Sequence, residues 1–329
     1  MVSIKDVARH AGVAISTVSK VLNNYPNVSE DTREKVNGAI RELGYVPNAV
    51  AAALSSKRSA RVALLINPNT QTKAIDEINM QYLSGAINQA QELNLDVITV
   101  FFSMLQEMSV AEVIRYFQSQ SVSGIIIFGM NKESHILHEL VDSRIFRIVI
   151  VDAPMYNETT SSIWIDNAGA QYEVARKTIE ENKCKRVLYI AGKKNGYITD
   201  ERIRGMKKLA DDRKLSLLIK YGEFSELEAW KLAYKFAKNK DIVVCASDLM
   251  AIGAMNALTE MDIFRPVCGF DGITLMGYVG KQMNTVRQDF YRISAEAVKE
   301  AAYLMSGGEG RNIILDYKIV RMQYKEIIC

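Results

Sequence analysis

Cysteine is scarce in this chain, and its four residues, Cys184, Cys245, Cys268 and Cys329, lie far apart. None forms a Cys-x-x-Cys pair and no histidine stands near enough to complete a zinc site, so free thiols in a reducing compartment are expected. Histidine is rarer still, with three in the chain. Two of them, His135 and His138, fall at i, i+3 on a predicted helix without a third ligand, which predicts a solvated helix face and no metal. No run approaches the roughly 18 apolar residues of a membrane span, and the N-terminus opens on a polar helical pattern in place of a charged-then-apolar signal peptide. The expected location is cytoplasmic. Phosphate-binding glycine loops are also missing. Gly272 and Gly277 have the spacing, but Tyr278 follows where a lysine and a hydroxyl belong, and no Gly-x-Gly-x-x-Gly follows the first strand. Nucleotide chemistry, a cofactor and an enzymatic role therefore have no support among these motifs.

What is present suits a multidomain globular chain. Its 329 residues, 48% of them hydrophobic, suffice for two or three packed units. The net charge is only +3, yet residues 1–60 hold eight Lys/Arg against five Asp/Glu, so the whole excess sits at the N-terminus. Such a local basic bias is an electrostatic footprint for phosphates.

That basic segment has a definite pattern. Ile4, Val7, Ala8 and Ala11 recur at i, i+3, i+4 and i+7 behind a Ser3 cap, and Gly12 ends this first helix. Val18, Val21 and Leu22 form the inward face of a second helix that leaves Ile15, Ser16, Ser19 and Lys20 outside. The two make a helix-turn-helix; the plainer alternative is a pair of packed helices that merely begin a domain. Val36, Ala39, Ile40 and Leu43 supply the stripe of a third helix, from the Ser29 cap to Gly44. Pro47 requires an extended approach, after which Asn48 can cap the short run AVAAALSS. About two turns of helix are marginal alone in water, so this run is expected to form fully only when something packs on it.

The stretches IKDVARHAGVAISTVSKVLN and VSEDTREKVNGAIRELGYVPNAVAAAL, with later pieces of the chain, resemble the LacI/GalR family of repressors over nearly the whole length. The resemblance implies that Ile15, Ser16 and Lys20 face base edges and that Thr17, Asn23 and Thr32 contact phosphates. It also implies a hinge helix that pairs with its dimer mate in the minor groove, with Leu54 as an apolar wedge. Chemically, Lys20 can donate to guanine O6 and N7, and Ile15 can touch a thymine methyl. Lys20 stands where Arg or His is frequent, and Ala14 replaces a common Ser cap, two departures from the family's pattern.

From Arg61 onward, apolar runs alternate with amphipathic helices. The runs 62–66, 96–102, 124–128 and 147–151 read as buried parallel strands, followed by a second set at 186–190, 215–219, 241–245 and 266–270. Helices are predicted near 78–93, 109–119, 134–143, 167–181, 200–213, 225–238 and 248–260. Two doubly wound sheets imply two lobes with a cleft at the strand carboxyl ends. The resemblance implies a core like that of periplasmic binding proteins, crossed by the chain near 154–160, 286–290 and 312–318. It also places Asp152, Arg202, Phe224, Ser247 and Asp271 at effector-binding positions. Singly they have plainer readings: Asp152 a strand-end cap, Phe224 core, Arg202 a surface ion pair. Asp76, Glu77, Ile78 and Asn79 stand where the family often has Asn-Pro and two aromatics, which weakens the case for a stacked purine.

The expected organisation is therefore a small all-α helix-turn-helix head (1–46), a hinge helix and linker (47–60) and a two-lobed α/β core of doubly wound parallel sheets (61–329). The N-lobe is expected over 61–155 and 288–312, the C-lobe over 156–287 and 313–329. The implied function is repression of transcription by a homodimer on a double-stranded pseudo-palindromic operator, controlled by a saccharide or sugar phosphate. A transport-type solute-binding protein and a regulator answering to a protein co-regulator are the alternatives.

Overall fold

The computed structural model describes residues 2–22, 25, 28–45, 60–67, 76–279 and 282–322, divided between two units, Met1–Ser59 and Ala60–Cys329. The hinge run with Leu54, and Asn23, lie outside the described residues. In the first unit, α1 (Ile4–Ala11) begins at Ser3, whose hydroxyl and amide both donate to Asp6 Oδ2, at 2.7 and 3.0 Å. Those bonds hold the Asp6 carboxyl below its usual range. Gly12 ends the helix at φ 66°, a left-handed conformation that residues with a Cβ adopt at a penalty. Helices α2 (Ile15–Leu22) and α3 (Glu30–Leu43) close the head over Val7, Val18 and Val36, all fully buried.

The second unit is built on twelve strands among the described residues: β1 (Arg61–Ile66), β2 (Asp96–Phe101), β3 (Val122–Phe128), β4 (Arg147–Val151), β5 (Thr160–Ile165), β6 (Arg186–Ala191), β7 (Ser216–Tyr221), β8 (Ile242–Cys245), β9 (Val267–Cys268), β10 (Asn284–Arg287), β11 (Asn312–Leu315) and β12 (Lys318–Arg321). They form two sheets, ordered β11-β5-β4-β3-β1-β2 and β12-β10-β9-β8-β6-β7. All pairs are parallel except β10 with β12. The helices are α4 (Glu77–Glu92), α5 (Val110–Ser119), α6 (His135–Asp142), α7 (Asn167–Asn182), α8 (Tyr197–Arg213), α9 (Glu226–Phe236), α10 (Asp248–Glu260), α11 (Leu275–Tyr278) and α12 (Phe290–Met305). In the first lobe α4 and α12 cover one face of the sheet, and α5 and α6 the other. Central strands β1, β3 and β4 are thus buried on both faces, which is why their sequences are continuous apolar runs.

The lobe boundary falls later than expected. The chain does not cross at 154–160: β5 pairs with β4 on one side and β11 on the other, so the first lobe runs to Ile165 and crosses at Asp166. The second crossing lies between β10 and α12. The third lies between β11 and β12, so the first lobe extends to Leu315. Strand β5 escapes a reading by hydrophobicity because Thr160, Ser161 and Ser162 are polar and yet fully buried. Ser161 Oγ donates to Glu300 at 2.7 Å and Ser162 Oγ to the Ala153 carbonyl at 2.7 Å, so those two hydroxyls are satisfied inside.

Helix α4 meets α12 at Gly85, where a Cβ would lie 2.1 Å from the Tyr291 carbonyl oxygen. Alanine gains up to about 1 kcal/mol in helix propensity, but forcing two backbones apart costs about 1–3 kcal/mol. Gly85→Ala is therefore expected to destabilise the core. Gly38 in α3 has nothing within 4 Å of its Cβ position. Gly38→Ala should stabilise the head by about 0.5–1 kcal/mol. Urea unfolding of the two variants checks the opposite signs.

Candidate functional site

On the head, Val18 and Val21 fix the roll of α2 by packing inward. Ile15, Ser16 and Lys20 are consequently exposed, and Thr17 is half-buried. The Ala14 carbonyl accepts from Thr17 and Val18 amides at 2.9 and 3.2 Å, so the helix starts after Ala14 without a side-chain cap. Ile15 is 45% exposed, a large apolar side chain turned away from the head's core. Thr32, half-buried at the start of α3, has its hydroxyl 2.8 Å from that of Ser29.

In the core, a cavity of about 820 Å3 lies between the lobes, and Asp152, Arg202, Phe224, Ser247 and Asp271 all line it. Asp152 follows β4 with φ 65°, and Asp271 follows β9 with φ 123°, so both carboxylates leave strand ends through backbone turns that few side chains favour. Arg202 is not a surface residue. It is 2% exposed, its Nε donates to Asn167 Oδ1 at 2.9 Å, and its Nη1 donates to the Ala246 carbonyl and lies 3.8 Å from Asp271 Oδ1. The guanidinium carbon stands 3.5 Å from the Phe270 ring centre. Phe224, at φ 56°, lays its ring against Gly192, where a Cβ would come within 2.1 Å of it. Ser247 caps α10, accepting from the Met250 amide at 3.3 Å.

Three carboxylates share this region with one guanidinium. Burial pushes Asp271 up to about 7; Arg202 opposes the shift and Asp152 adds to it. Burial also raises Asp152, against the pull of Arg202. Asp248 accepts from the Gly272 and Ile273 amides at 2.7 and 2.9 Å and from Thr285 at 2.6 Å, yet its burial and the neighbouring Asp271 raise it as well.

Two further cavity residues, Tyr82 and Gln288, lay outside the sequence reading. Tyr82 donates to Asp152 Oδ2 at 3.2 Å, its ring held between Phe128 and Phe290. It lies four residues after Ile78, one helical turn on, so α4 brings an aromatic to the cavity although 76–79 holds none. Gln288 follows the carboxyl end of β10, where strand-end geometry places ligand groups. Polar bridges join the lobes beside the cavity: Glu77 accepts from the Thr274 amide and hydroxyl at 2.8 and 2.7 Å, Lys132 pairs with Asp200, and Asn195 donates to Glu133 at 2.7 Å.

His138 donates through Nε2 to the Asn131 carbonyl at 3.2 Å, and among the described residues no group of His, Cys, Asp or Glu could hold a metal ion. Burial raises the thiols of Cys184, Cys245 and Cys268, which are free, and no described helix is long and apolar enough to cross a membrane.

Comparisons with known proteins agree with both parts. Residues 3–48 match the model for bacterial regulatory proteins of the lacI family, and residues 79–265 match that for periplasmic binding proteins and the sugar binding domain of the LacI family. The chain is 30% identical to the HTH-type transcriptional regulator RegA of Clostridium acetobutylicum over 97% of each chain. It is 28% identical to catabolite control protein A of Staphylococcus epidermidis, also over 97% of each. The lac repressor dimer bound to operator and the anti-inducer ONPF superposes with a TM-score of 0.81 at 23% identity, covering 98% of this chain and 99% of that one. The CelR–cellobiose complex gives 0.72 at 24% identity, covering 98% and 100%. The chain belongs to the LacI family and is a DNA-binding transcriptional regulator.

Proposed function

We propose that the protein is a cytoplasmic repressor, without enzymatic activity, whose homodimer grips a pseudo-palindromic operator and changes its grip when a saccharide occupies the cleft. In this reading Ile15, Ser16 and Lys20 read base edges, Thr17, Asn23 and Thr32 hold phosphates, and Leu54 is the minor-groove wedge. Asp152, Arg202, Phe224, Ser247 and Asp271 serve the effector. The observation that carries the effector half is the meeting of Arg202 and Asp271, 3.8 Å apart and both buried, in one interlobe cavity. Carboxylates accept from sugar hydroxyls, while an arginine fixed from behind by Asn167 and Ala246 gives the site a rigid orientation. That a similar regulator, CelR, is found in complex with cellobiose supports the ligand class. A ligand shifts DNA affinity only by as much as its own affinity differs between two lobe arrangements.

The test is operator binding by fluorescence anisotropy across a panel of saccharides, after selection of the binding site from random DNA. At least one sugar is expected to change the midpoint; a panel without effect on DNA affinity or melting temperature removes the saccharide reading. Lys20→Ala should cost about 1–3 kcal/mol on the selected site and relax preference at one base pair per half-site. A loss equal for all sequences, with the salt slope lowered by about one, would mean that Lys20 contacts a phosphate instead.

A further inference from the structure

The hydrogen-bonding and charge inventory of the cavity narrows the ligand, given the saccharide reading on which this inference rests. Gln288 is 6% exposed, and its Nε2 donates to Asp271 Oδ1 at 3.2 Å. While Asp271 is ionised that bond sets the orientation of the amide, because turning it over would face Oε1 against a carboxylate oxygen, acceptor against acceptor. In this orientation Oε1 is shut from solvent and has no hydrogen-bond partner. Asp152 is in the same condition. Tyr82 satisfies Oδ2, while Oδ1 is enclosed with no partner. Both residues line the cavity. An unmet buried acceptor is unfavourable, and what relieves it is a donor. Sugar hydroxyls are donors; an ionised phosphate brings acceptors.

Charge points the same way. Five acids, Asp76, Asp152, Glu223, Glu226 and Asp271, line the cavity against two cations among the described residues, Lys193 and Arg202. Arg202 is already committed to Asn167, the Ala246 carbonyl, the Phe270 ring and Asp271. Bringing a phosphate dianion into such an enclosure sets like charges together in a water-poor place, which disfavours it. The volume, about 820 Å3, lies in the upper part of the roughly 300–1,000 Å3 found for ligand pockets, more room than a single hexose fills. Tyr82, Phe128, Phe224, Trp230 and Phe290 give it apolar walls suited to the C–H faces of sugar rings. We infer that the effector is an uncharged saccharide of at least two rings, whose hydroxyls donate to Asp152 Oδ1 and Gln288 Oε1, and that sugar phosphates are rejected.

Isothermal titration calorimetry of the full-length protein with cellobiose, maltose, trehalose and lactose, each beside its 6-phosphate, tests this. At least one neutral disaccharide is expected to bind, its phosphate at least about tenfold more weakly, the equivalent of 1.4 kcal/mol. A phosphate that binds as well as or better than its neutral partner overturns the inference and leaves the saccharide reading standing. No heat with any of the eight overturns this inference, and the saccharide reading falls with it only when the wider sugar panel also leaves DNA affinity and melting temperature unchanged. Asp152→Asn tolerates the left-handed backbone and exchanges an acceptor for a donor. It should weaken the neutral sugar about tenfold and narrow its advantage over the phosphate; an unchanged ratio between the two counts against Asp152 as the discriminating group.

Discussion

Arg202→Ala is expected to lower the melting midpoint of the core by roughly 6–20 °C, because removing one partner of a buried charge cluster costs about 3–5 kcal/mol, and each kcal/mol shifts the midpoint by about 2–4 °C in domains of this size class. The buried guanidinium is the positive charge that holds down Asp271 and Asp152, and it ties α8 to Asn167 and to the Ala246 carbonyl. Its loss leaves Asp271 and Asp152 buried with no counter-charge and a cavity above Phe270. Arg202→Lys should not restore the loss, since an ammonium cannot reach Asn167, Ala246 and the ring face from one planar fork. Thermal melting of both variants decides the point. A drop below about 2 °C for the alanine variant would show that the carboxylates discharge themselves by taking up protons without help from the arginine.

Asp271→Asn is expected to do the reverse at alkaline pH and to silence the effector response. The Asp271 carboxyl lies at about 7 in the folded protein against an ordinary value near 3.8. Between those two values the folded state holds a proton that the unfolded state has released, so the contribution of this group to stability falls as pH rises from about 4 to about 7, by up to about 1.4 kcal/mol per pH unit. It levels off above 7. Burial sets the raised value, opposed by Arg202 and by hydrogen bonds from the Asp248 backbone and Gln288 and reinforced by Asp152, and a neutral Asn keeps the acceptor that Gln288 needs. The melting temperature of the variant relative to the native protein should therefore climb between pH 5 and pH 8. A difference that stays flat across that range would show that Asp271 does not carry the raised value. The same variant should bind operator normally without effector and ignore concentrations of sugar that saturate the native protein. An unchanged effector midpoint would place the ligand elsewhere.

The sequence was most legible where periodicity and burial coincide. The predicted helix 248–260 has those bounds in the structure, and 62–66, 124–128 and 147–151 lie within strands buried on both faces. Legibility failed at β5, where three polar residues are buried and two of them, Ser161 and Ser162, are satisfied by Glu300 and the Ala153 carbonyl, a compensation visible only in three dimensions. It was partial for the cleft. Asp152, Phe224 and Asp271 owe their directions to left-handed backbones at strand ends, which no pattern of side chains announces. Arg202 sits in a charged stretch, DERIRGM, that reads as an exposed helix face. What hides it is the rotation of α8 against α7, where Gly205 lets the Ala168 carbonyl come within 2.1 Å of a Cβ position. Gln288 carried no signal beyond its place after a short strand.

The interleaving of the two lobes sets an order of events during synthesis. The head is complete once the chain has passed Tyr45, and its three helices need nothing later. The first lobe cannot close until α12 and β11 have been made, because β11 pairs with β5 and α12 supplies Phe290, Ile293 and Val298 to its core. At about 5–20 residues per second, the 270 residues from Tyr45 to Leu315 take roughly 14–54 s. For that interval the ribosome carries a finished DNA-binding head ahead of an unfinished sensor. In the dimeric reading proposed above, this head has no partner at the right spacing and holds DNA only by its few phosphate contacts. In that reading the part that must find a mate is the part that is finished last.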